Sequence, residues 1–515
     1  MKTRYWLLLL VVVALGIRLL LLSTQHTVEI DGAYYVRMGQ NLFAGRGLVD
    51  IEGHVNTVFM PLYPILIGSV DLLIHDGELS ARLLSILFGV LLIFPVFLLG
   101  KDLYGRIAGL LAAGMVAIYP ALAYISTITY TDSLFLFLIT SFFVVAFRAA
   151  ESKKVKYIVA AAVLIVLSYL CRPEALGFIP FFFVYAAWRQ QWSWKCWVGS
   201  IVFFGVLLLV LLAPYFIWVY HATGDVSLSS KGLVIYKFRS YEPFSPEYEQ
   251  NIFGVNAAKD DILLNPYVVK GSLVQEILRY PEVFILRYCS GFFKQLYWVL
   301  PKLFPFIIFS FAVLLFRKWK LEGYHRELFL GLMLVFPLLF YPIFWVEARY
   351  LLVLLPLLMV AAAKGVLQLA DHFGQKVLWL FIVLLMACSL VGNVFAVHLI
   401  DGRFEKLDPP LEQKAAGLWV QEHYTNPRVM ERKPWVSFYS GGIFVNFPYA
   451  SYSDLIVYAC KQDVDVVVID DRYTKSLRPD VAFLLEHGTK ELSKVYESSG
   501  KKLILYELAC SSSML

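Results

Sequence analysis

The chain has 515 residues, 59% of them hydrophobic and only 16% charged, with a mean hydropathy of +0.67 and a formal net charge of +6. A soluble chain carries nearer a quarter charged residues, so this composition excludes an ordinary soluble globular protein. Apolar runs of about 18 or more residues recur along most of the length, each sufficient to cross a bilayer as a helix, and nothing resembles the short alternating strands of an outer-membrane barrel. The chain reads as a polytopic α-helical membrane protein.

In chain order the runs predict about 11 transmembrane helices, at residues 5–23, 80–100, 107–124, 132–149, 156–170, 174–189, 197–220, 301–317, 327–345, 348–363 and 377–398. The first run follows Lys2 and Arg4 as a signal peptide would, but it lacks a small-residue cleavage site and Arg18 interrupts it, so it is read as a retained anchor. Basic residues fall on every second boundary: Lys2 and Arg4, then Lys101 and Arg106, then Arg148 with Lys153, Lys154 and Lys156. Arg189 with Lys195, and Arg317, Lys318, Lys320 with Arg326, continue the series. By the positive-inside rule these boundaries are cytoplasmic, which places the N-terminus inside and, with an odd number of spans, the C-terminal tail outside.

Three segments are expected on the outer side. The first, residues 24–79, holds Asp31, a Gly45-Arg46-Gly47 turn and Phe59-Met60-Pro61-Leu62-Tyr63-Pro64. The second, residues 221–300, begins Gly224-Asp225-Val226-Ser227. It ends in a run, 281–300, where Phe284, Leu286, Phe292, Phe293, Leu296 and Trp298 mix with Arg287 and Lys294, which predicts an amphipathic helix lying in the interface. The third, residues 400–515, turns abruptly into ordinary globular sequence. Helical spacing over 412–424 and strands at 435–439, 464–469 and 503–506 predict a small α/β domain, without a G-x-G-x-x-G or P-loop signature. The organisation is therefore a transmembrane part, residues 1–400, and an extracytoplasmic α/β domain, residues 401–515.

The six cysteines are dispersed: Cys171, Cys196, Cys289 and Cys388 fall in or near the membrane, Cys460 and Cys510 in the C-terminal domain. The last two are free to pair in an oxidising compartment, but spacing alone does not decide geometry. No C-x-x-C or H-E-x-x-H occurs and the nine histidines are scattered, so no metal site is predicted.

Glu29-Ile30-Asp31-Gly32-Ala33-Tyr34-Tyr35 follows the first span directly, and Asp31 is an ionisable group at the lipid–water boundary. Taken alone, it reads first as a helix N-cap. Other charges gather at the same side of the membrane: Arg82, Asp132, Arg172, Glu174, Glu347 and Arg349. Individually they read equally well as ion pairs tying helix ends together, Arg172 with Glu174 or Arg349 with Glu347. Collectively, with both signs on one face, they predict a polar cavity that opens outward, where acids accept protons and guanidinium groups grip a phosphate. Those are the parts needed to move a sugar from a phosphate carrier. A transporter or flippase of lipid-linked sugars would share the bundle and the charges, but would be expected to show repeated halves and broken helices at the midplane.

Five motifs carry a resemblance. They are Asp31-Gly32-Ala33-Tyr34-Tyr35; Pro61-Leu62-Tyr63-Pro64; Ala81-Arg82-Leu83-Leu84-Ser85; Tyr130-Thr131-Asp132-Ser133; and Arg349-Tyr350 followed by Leu354-Leu355-Pro356-Leu357-Leu358. In their order and common side the chain resembles the GT-C superfamily of integral-membrane glycosyltransferases, most of all the bacterial branch related to protein O-mannosyltransferases and lipid A aminoarabinose transferases. The resemblance covers about residues 5–400 and implies several things about this chain. The donor is a sugar on a polyprenyl phosphate or pyrophosphate. The acceptor is a lipid (lipid A of lipopolysaccharide included), a glycan or a protein of the cell envelope, and the location is a bacterial-type inner membrane. No nucleic-acid partner is implied. Asp31 is the general base of an inverting transfer; Asp132, Glu347 and Glu174 are second acids or sugar ligands. Arg82, Arg172 and Arg349 are candidates for the donor phosphate, and Tyr34, Tyr35, Tyr63 and Tyr350 for sugar or lipid contacts. No cofactor is predicted, although some more distant members use a divalent cation. Many relatives carry a basic residue just before the proline-rich motif, where this chain has Met60.

Overall fold

The structure is a computed structural model that describes residues 2–152, 154–191, 193–224, 231–267, 271–299, 324–344, 347–377, 379–380, 383 and 409–510. The span expected at 301–317, nearly all of the one at 377–398, and the stretch Asp225-Val226-Ser227 lie outside the described residues.

The helices in chain order are α1 (Lys2–Leu22), α2 (Ile30–Phe43), α3 (Leu62–Ile74), α4 (Gly77–Leu91), α5 (Ile93–Tyr104), α6 (Arg106–Ile118), α7 (Pro120–Ile125), α8 (Asp132–Ser152), α9 (Val155–Tyr169), α10 (Phe178–Gln190) and α11 (Trp194–Thr223). They continue with α12 (Lys231–Phe238), α13 (Pro246–Phe253), α14 (Leu273–Arg279), α15 (Pro281–Lys294), α16 (His325–Phe340) and α17 (Leu354–Phe373). Among the described residues, 6 helical stretches are long and apolar enough to span a bilayer. Every predicted run within the described residues is helical, since a chain in lipid must satisfy its backbone internally. The run at 107–124 is divided at Tyr119-Pro120, and that at 174–189 opens with a short 3₁₀ turn, Pro173–Gly177. Helix α3 is an addition to the expected elements: its 13 residues are too few for a span, so nothing in the segment 24–79 marks it as one. It lies on α2 at Gly39 and Gly68, where a Cβ on Gly39 would fall 2.6 Å from the Pro64 carbonyl oxygen. Helix α15 occupies the predicted amphipathic run, with Ile285, Leu286 and Phe293 exposed.

Arg18 has a structural assignment. Pro120 has no N–H, so the Val116 carbonyl loses its helical donor where α6 ends. The Arg18 guanidinium, fully buried, donates to Val116 O at 3.4 Å, Ala117 O at 3.1 Å, Ala14 O at 3.1 Å and Ser126 Oγ at 2.8 Å. Arg18→Met strands the Val116 carbonyl at roughly 1–3 kcal/mol, part of it offset by no longer burying a charge. A clearly lowered thermal midpoint in detergent is expected, with Arg18→Lys recovering only part because an ammonium cannot fork between carbonyls.

After residue 409 come α18 (Leu411–His423), β1 (Arg428–Glu431), α19 (Trp435–Ser440), β2 (Ile443–Asn446), α20 (Tyr452–Lys461), β3 (Val466–Asp470), β4 (Leu492–Glu497) and β5 (Leu503–Leu508). The strands form one sheet in the order β2-β1-β3-β5-β4, with β1 parallel to β2 and β3, and β5 antiparallel to β3 and β4. This is the expected small α/β domain, with one correction: 435–439, expected as a strand, is helix α19. Trp435-Val436-Ser437-Phe438-Tyr439 fits either period. The Glu431 carboxylate decides it by accepting from Val436 N at 2.9 Å and Ser437 N at 2.6 Å, which satisfies the first turn. Gly441, at φ 75°, ends the helix. Cys460 and Cys510 are joined by a disulfide.

The segment 221–300 is partly built into this domain. Ile252, Phe253 and Ile262 share its apolar core with Val445, Val467 and Ile469. Buried Glu249 on α13 accepts from Arg432 and Arg478, each at 2.7 Å.

Candidate active site

A cavity of about 1240 Å³ lies where the segments 24–79 and 221–300 meet the helix ends. Asp31, Tyr35, Asp132, Arg172, Glu174, Arg349 and Tyr350 all line it, although they come from four separate parts of the sequence.

Local sequence explains each placement. Helix α2 begins at Ile30 with Glu29 at the cap position, so Asp31 is not the cap; it sits in the first turn, where the helix N-terminus favours a carboxylate. Glu29 does not cap either. Its carboxylate accepts from Thr129 N at 2.8 Å and Thr129 Oγ1 at 2.6 Å, which pins the start of α2 beside Tyr130. Gly32 is required there, because a Cβ would lie 1.7 Å from Thr129 Oγ1. Arg172 precedes Pro173 and is therefore extended (φ −149°, ψ 124°), which turns its side chain away from α9 and into the cavity.

Two guanidinium centres result. Arg172 is held by Asp132 at 2.7 Å and Glu174 at 2.8 Å, and lies over the rings of Phe135 and Tyr350 at 5.2 Å each. Arg349 meets Glu347 at 3.0 Å and donates to Tyr350 Oη at 3.0 Å, with its plane 4.7 Å over Tyr130. Its Nη1 stands 3.5 Å from Asp31 Oδ2, a looser approach than the Arg172 pairs. Tyr341 links the centres, donating to Glu174 at 3.4 Å and stacking on Tyr350. Tyr341 and Tyr130 had no role assigned from sequence; their signal was a tyrosine at a span end on the same side as Asp31.

Four predicted residues lie outside the cavity lining: Glu347, which still pairs with Arg349, and Arg82, Tyr63 and Tyr34. Arg82 does not line the cavity: it is paired with Glu78 at 2.6 Å and donates to the carbonyls of Gln25 at 2.9 Å and Thr27 at 2.6 Å. Tyr63 is fully buried, with its hydroxyl on Ser85 Oγ at 2.7 Å. Tyr34 donates to Glu52 at 2.5 Å. Met60 lines the cavity and accepts from Tyr215 Oη at 3.5 Å. Among the described residues no group of three or more His, Cys, Asp or Glu side chains is arranged to hold a metal ion.

Behind the cavity wall, Asp50 accepts from Asn56 at 2.7 Å and from Tyr267, which itself lines the cavity. Burial, and then the neighbouring Asp50 carboxylate, push the Glu52 carboxyl up to about 8. A carboxyl whose value rises on folding binds its proton better in the folded state, so the stability it contributes is present below its ordinary value of 4.5 and is lost as pH climbs towards 8. Wild-type protein should therefore melt lower at pH 8 than at pH 5, with part of that slope due to buried Glu431, which is also pushed up to about 8 by burial. Glu52→Gln, followed by thermal unfolding across this range, should flatten the slope.

The family model for dolichyl-phosphate-mannose-protein mannosyltransferase matches residues 60–218. No curated protein sequence matches the chain. The structure is similar to that of ArnT from Cupriavidus metallidurans bound to undecaprenyl phosphate, at 14% identity and a TM-score of 0.57, covering 98% of both chains. It is also similar to the Archaeoglobus fulgidus oligosaccharyltransferase in complex with Zn and sulfate, at 14% identity and a TM-score of 0.62, covering 98% of this chain and 73% of that one. A third match is the archaeal oligosaccharyltransferase AglB from Archaeoglobus fulgidus in complex with an inhibitory peptide and a dolichol-phosphate. There the identity is 12%, the TM-score 0.54, and the coverage 99% of this chain and 75% of that one. The chain is a membrane protein with the fold of the GT-C glycosyltransferases.

Proposed function

We propose that the protein transfers a glycosyl group from a polyprenyl-phosphate donor to an extracytoplasmic acceptor, with inversion at the anomeric carbon. The observation that carries this reading is one cavity holding a carboxylate in reach of a guanidinium, Asp31 with Arg349, at the side opposite the basic boundaries. Undecaprenyl phosphate in the similar ArnT structure and dolichol-phosphate in the similar AglB structure support a lipid phosphate as the carrier. Asp31 takes the proton of the acceptor hydroxyl or amine as that atom bonds to C1. The bond from C1 to the phosphate oxygen breaks, its electron pair leaves with the lipid phosphate, and Arg349 balances the charge that develops there. Arg349 is favoured over Arg172 because Arg172 already spends two close ion pairs on Asp132 and Glu174. Asp132 and Glu174 then hold Arg172 and Tyr341 as the wall for the sugar, and Tyr35, Tyr130 and Tyr350 give it aromatic faces.

The alternation of basic boundaries supports a cytoplasmic N-terminus and residues 401–515 on the outer side, and the resemblance supports a bacterial-type inner membrane as the location. The acceptor is the less defined partner: a lipid, a glycan or a protein of the envelope. Purified protein in detergent, offered a panel of labelled polyprenyl-phosphate sugars with membrane extract as acceptor, tests the reading. Label moving from one donor class to an acceptor is the expected result. Tight binding of donor lipid with no transfer from any donor would overturn it in favour of a lipid-linked-sugar transporter.

A further inference from the structure

We infer that helix α19 of the C-terminal domain is a positioning element for Asp31, acting through the backbone of Val28; the inference rests on the transfer reaction proposed above. Residues 25–29 lead from α1 into α2, and the chain there is bound along its whole length. Arg82 holds the carbonyls of Gln25 and Thr27 from the membrane side, and Thr129 holds the Glu29 carboxylate. The C-terminal domain holds what lies between. Trp435 Nε1 donates to Val28 O at 2.8 Å, and Val28 N donates to Tyr439 Oη at 2.8 Å. The Tyr439 hydroxyl in turn donates to Glu78 Oε2 at 2.9 Å, so one phenol ties α19, the lead-in strand and α4 together. Lys414 Nζ adds a bond to His26 O at 2.9 Å.

The far side of α2 is gripped by the same helix. Arg37, two turns after Asp31, reaches the carbonyls that end α19: Gly441 O at 2.8 Å, Phe438 O at 3.3 Å and Ser437 O at 3.4 Å. Val28 and Ala33 also share a buried apolar cluster with Trp435, Phe444 and Tyr473. Helix α2 is therefore fixed to α19 at two points that bracket Asp31.

The location within the domain fits that purpose. The order β2-β1-β3 makes the gap between β1 and β3, beyond their C-terminal ends, the point where the sheet changes winding direction. Open α/β sheets form a crevice at such a point. Here Glu431 and Asp470 end β1 and β3: Glu431 accepts from the first turn of α19, and Asp470 accepts from the turn at Tyr473 and from Gln413 of α18 at 3.4 Å. The crevice that would take a ligand in a free-standing domain instead presents Trp435 and Tyr473 to Val28 and Ala33. What the domain recognises there is the lead-in to Asp31, so a shift of the domain moves Asp31 relative to Arg349.

Tyr439→Phe keeps the ring and removes the hydroxyl; Trp435→Phe keeps an aromatic body and removes the N–H. Each should lower kcat by about 10- to 100-fold, the cost of a misplaced reacting group, with KM for donor and acceptor changed less than about twofold. Amide exchange over residues 26–36, followed by mass spectrometry, should accelerate about tenfold or more when these backbone bonds are lost. Asp31→Asn in the same assay marks the chemistry itself. Inactive Asp31→Asn beside fully active Tyr439→Phe and Trp435→Phe would overturn the positioning role and leave the function standing. A rise in KM with kcat intact would overturn it as well, since that describes a binding surface. If wild type transfers nothing, the proposed function fails first, and exchange of 26–36 unchanged in both variants would then overturn the coupling on its own.

Discussion

Asp31→Asn should cut kcat by about 10²–10⁴, the usual worth of a positioned general base, while donor binding stays within about twofold of wild type. The substitution is close to isosteric, and the groups that shape this part of the chain do not depend on the Asp31 charge. The start of α2 is fixed by Glu29 on Thr129, by Gly32 against that same threonine, and by Trp435 and Tyr439 on Val28. Folding and insertion should therefore survive, which a thermal midpoint within a few degrees of wild type would verify. Asn cannot take a proton from an acceptor, and it leaves Arg349 without the carboxylate 3.5 Å away. A freer guanidinium should hold a lipid phosphate at least as well, so donor affinity holds or improves while turnover collapses. Label moving equally with both proteins would remove Asp31 as the base and direct attention to Asp132, the other cavity carboxylate that heads a helix.

The membrane part was legible because the bilayer imposes one length and one closed backbone on every crossing, so a run of apolar residues has a single reading. The place of Asp31 in the cavity was legible only from its company, since by itself it reads as a cap and it is the other charges of both signs on the same side that predict a polar cavity. Where the deciding partners are backbone atoms, sequence gives no such signal. Arg82 has the residue type and the side of the membrane expected of a phosphate ligand, yet it lies away from the cavity with both Nη groups engaged by Glu78 and two carbonyls. Carbonyls leave no mark in a sequence. The same holds for Arg18, one of whose acceptors, the Val116 carbonyl, lacks a helical donor because Pro120 has no N–H. Strands β1 and β2 have 4 residues each, too few for alternation to show, and α19 was mistaken for a strand because its helical turn is fixed by Glu431, four positions upstream of Trp435. The spacing of Cys460 and Cys510 likewise left the pairing open, and it is the fold that brings α20 and the end of β5 together with these Cα atoms 5.7 Å apart.

The two cavity arginines should separate in their consequences. Arg349→Gln should lower kcat/KM by about 10²–10³, as loss of one preorganised donor to developing charge does, with a modest change in thermal midpoint. Arg349→Lys should recover only part: an ammonium keeps the charge but cannot lie over Tyr130 and reach Tyr350 Oη with the same fork. Arg172→Gln should act first on stability. Arg172 satisfies Asp132 at 2.7 Å and Glu174 at 2.8 Å, and all three side chains are at most 12% exposed. Removing the shared cation leaves two carboxylates facing each other in a low-dielectric wall, a loss of about 3–5 kcal/mol for breaking a buried pair. Steady-state kinetics beside thermal unfolding for the three variants distinguishes the roles. Arg172→Gln melting normally yet losing kcat/KM as steeply as Arg349→Gln would show the phosphate gripped by both guanidiniums. Arg349→Gln with full activity would move the leaving-group contact to Arg172 alone, because among the described residues these are the two guanidiniums lining the cavity.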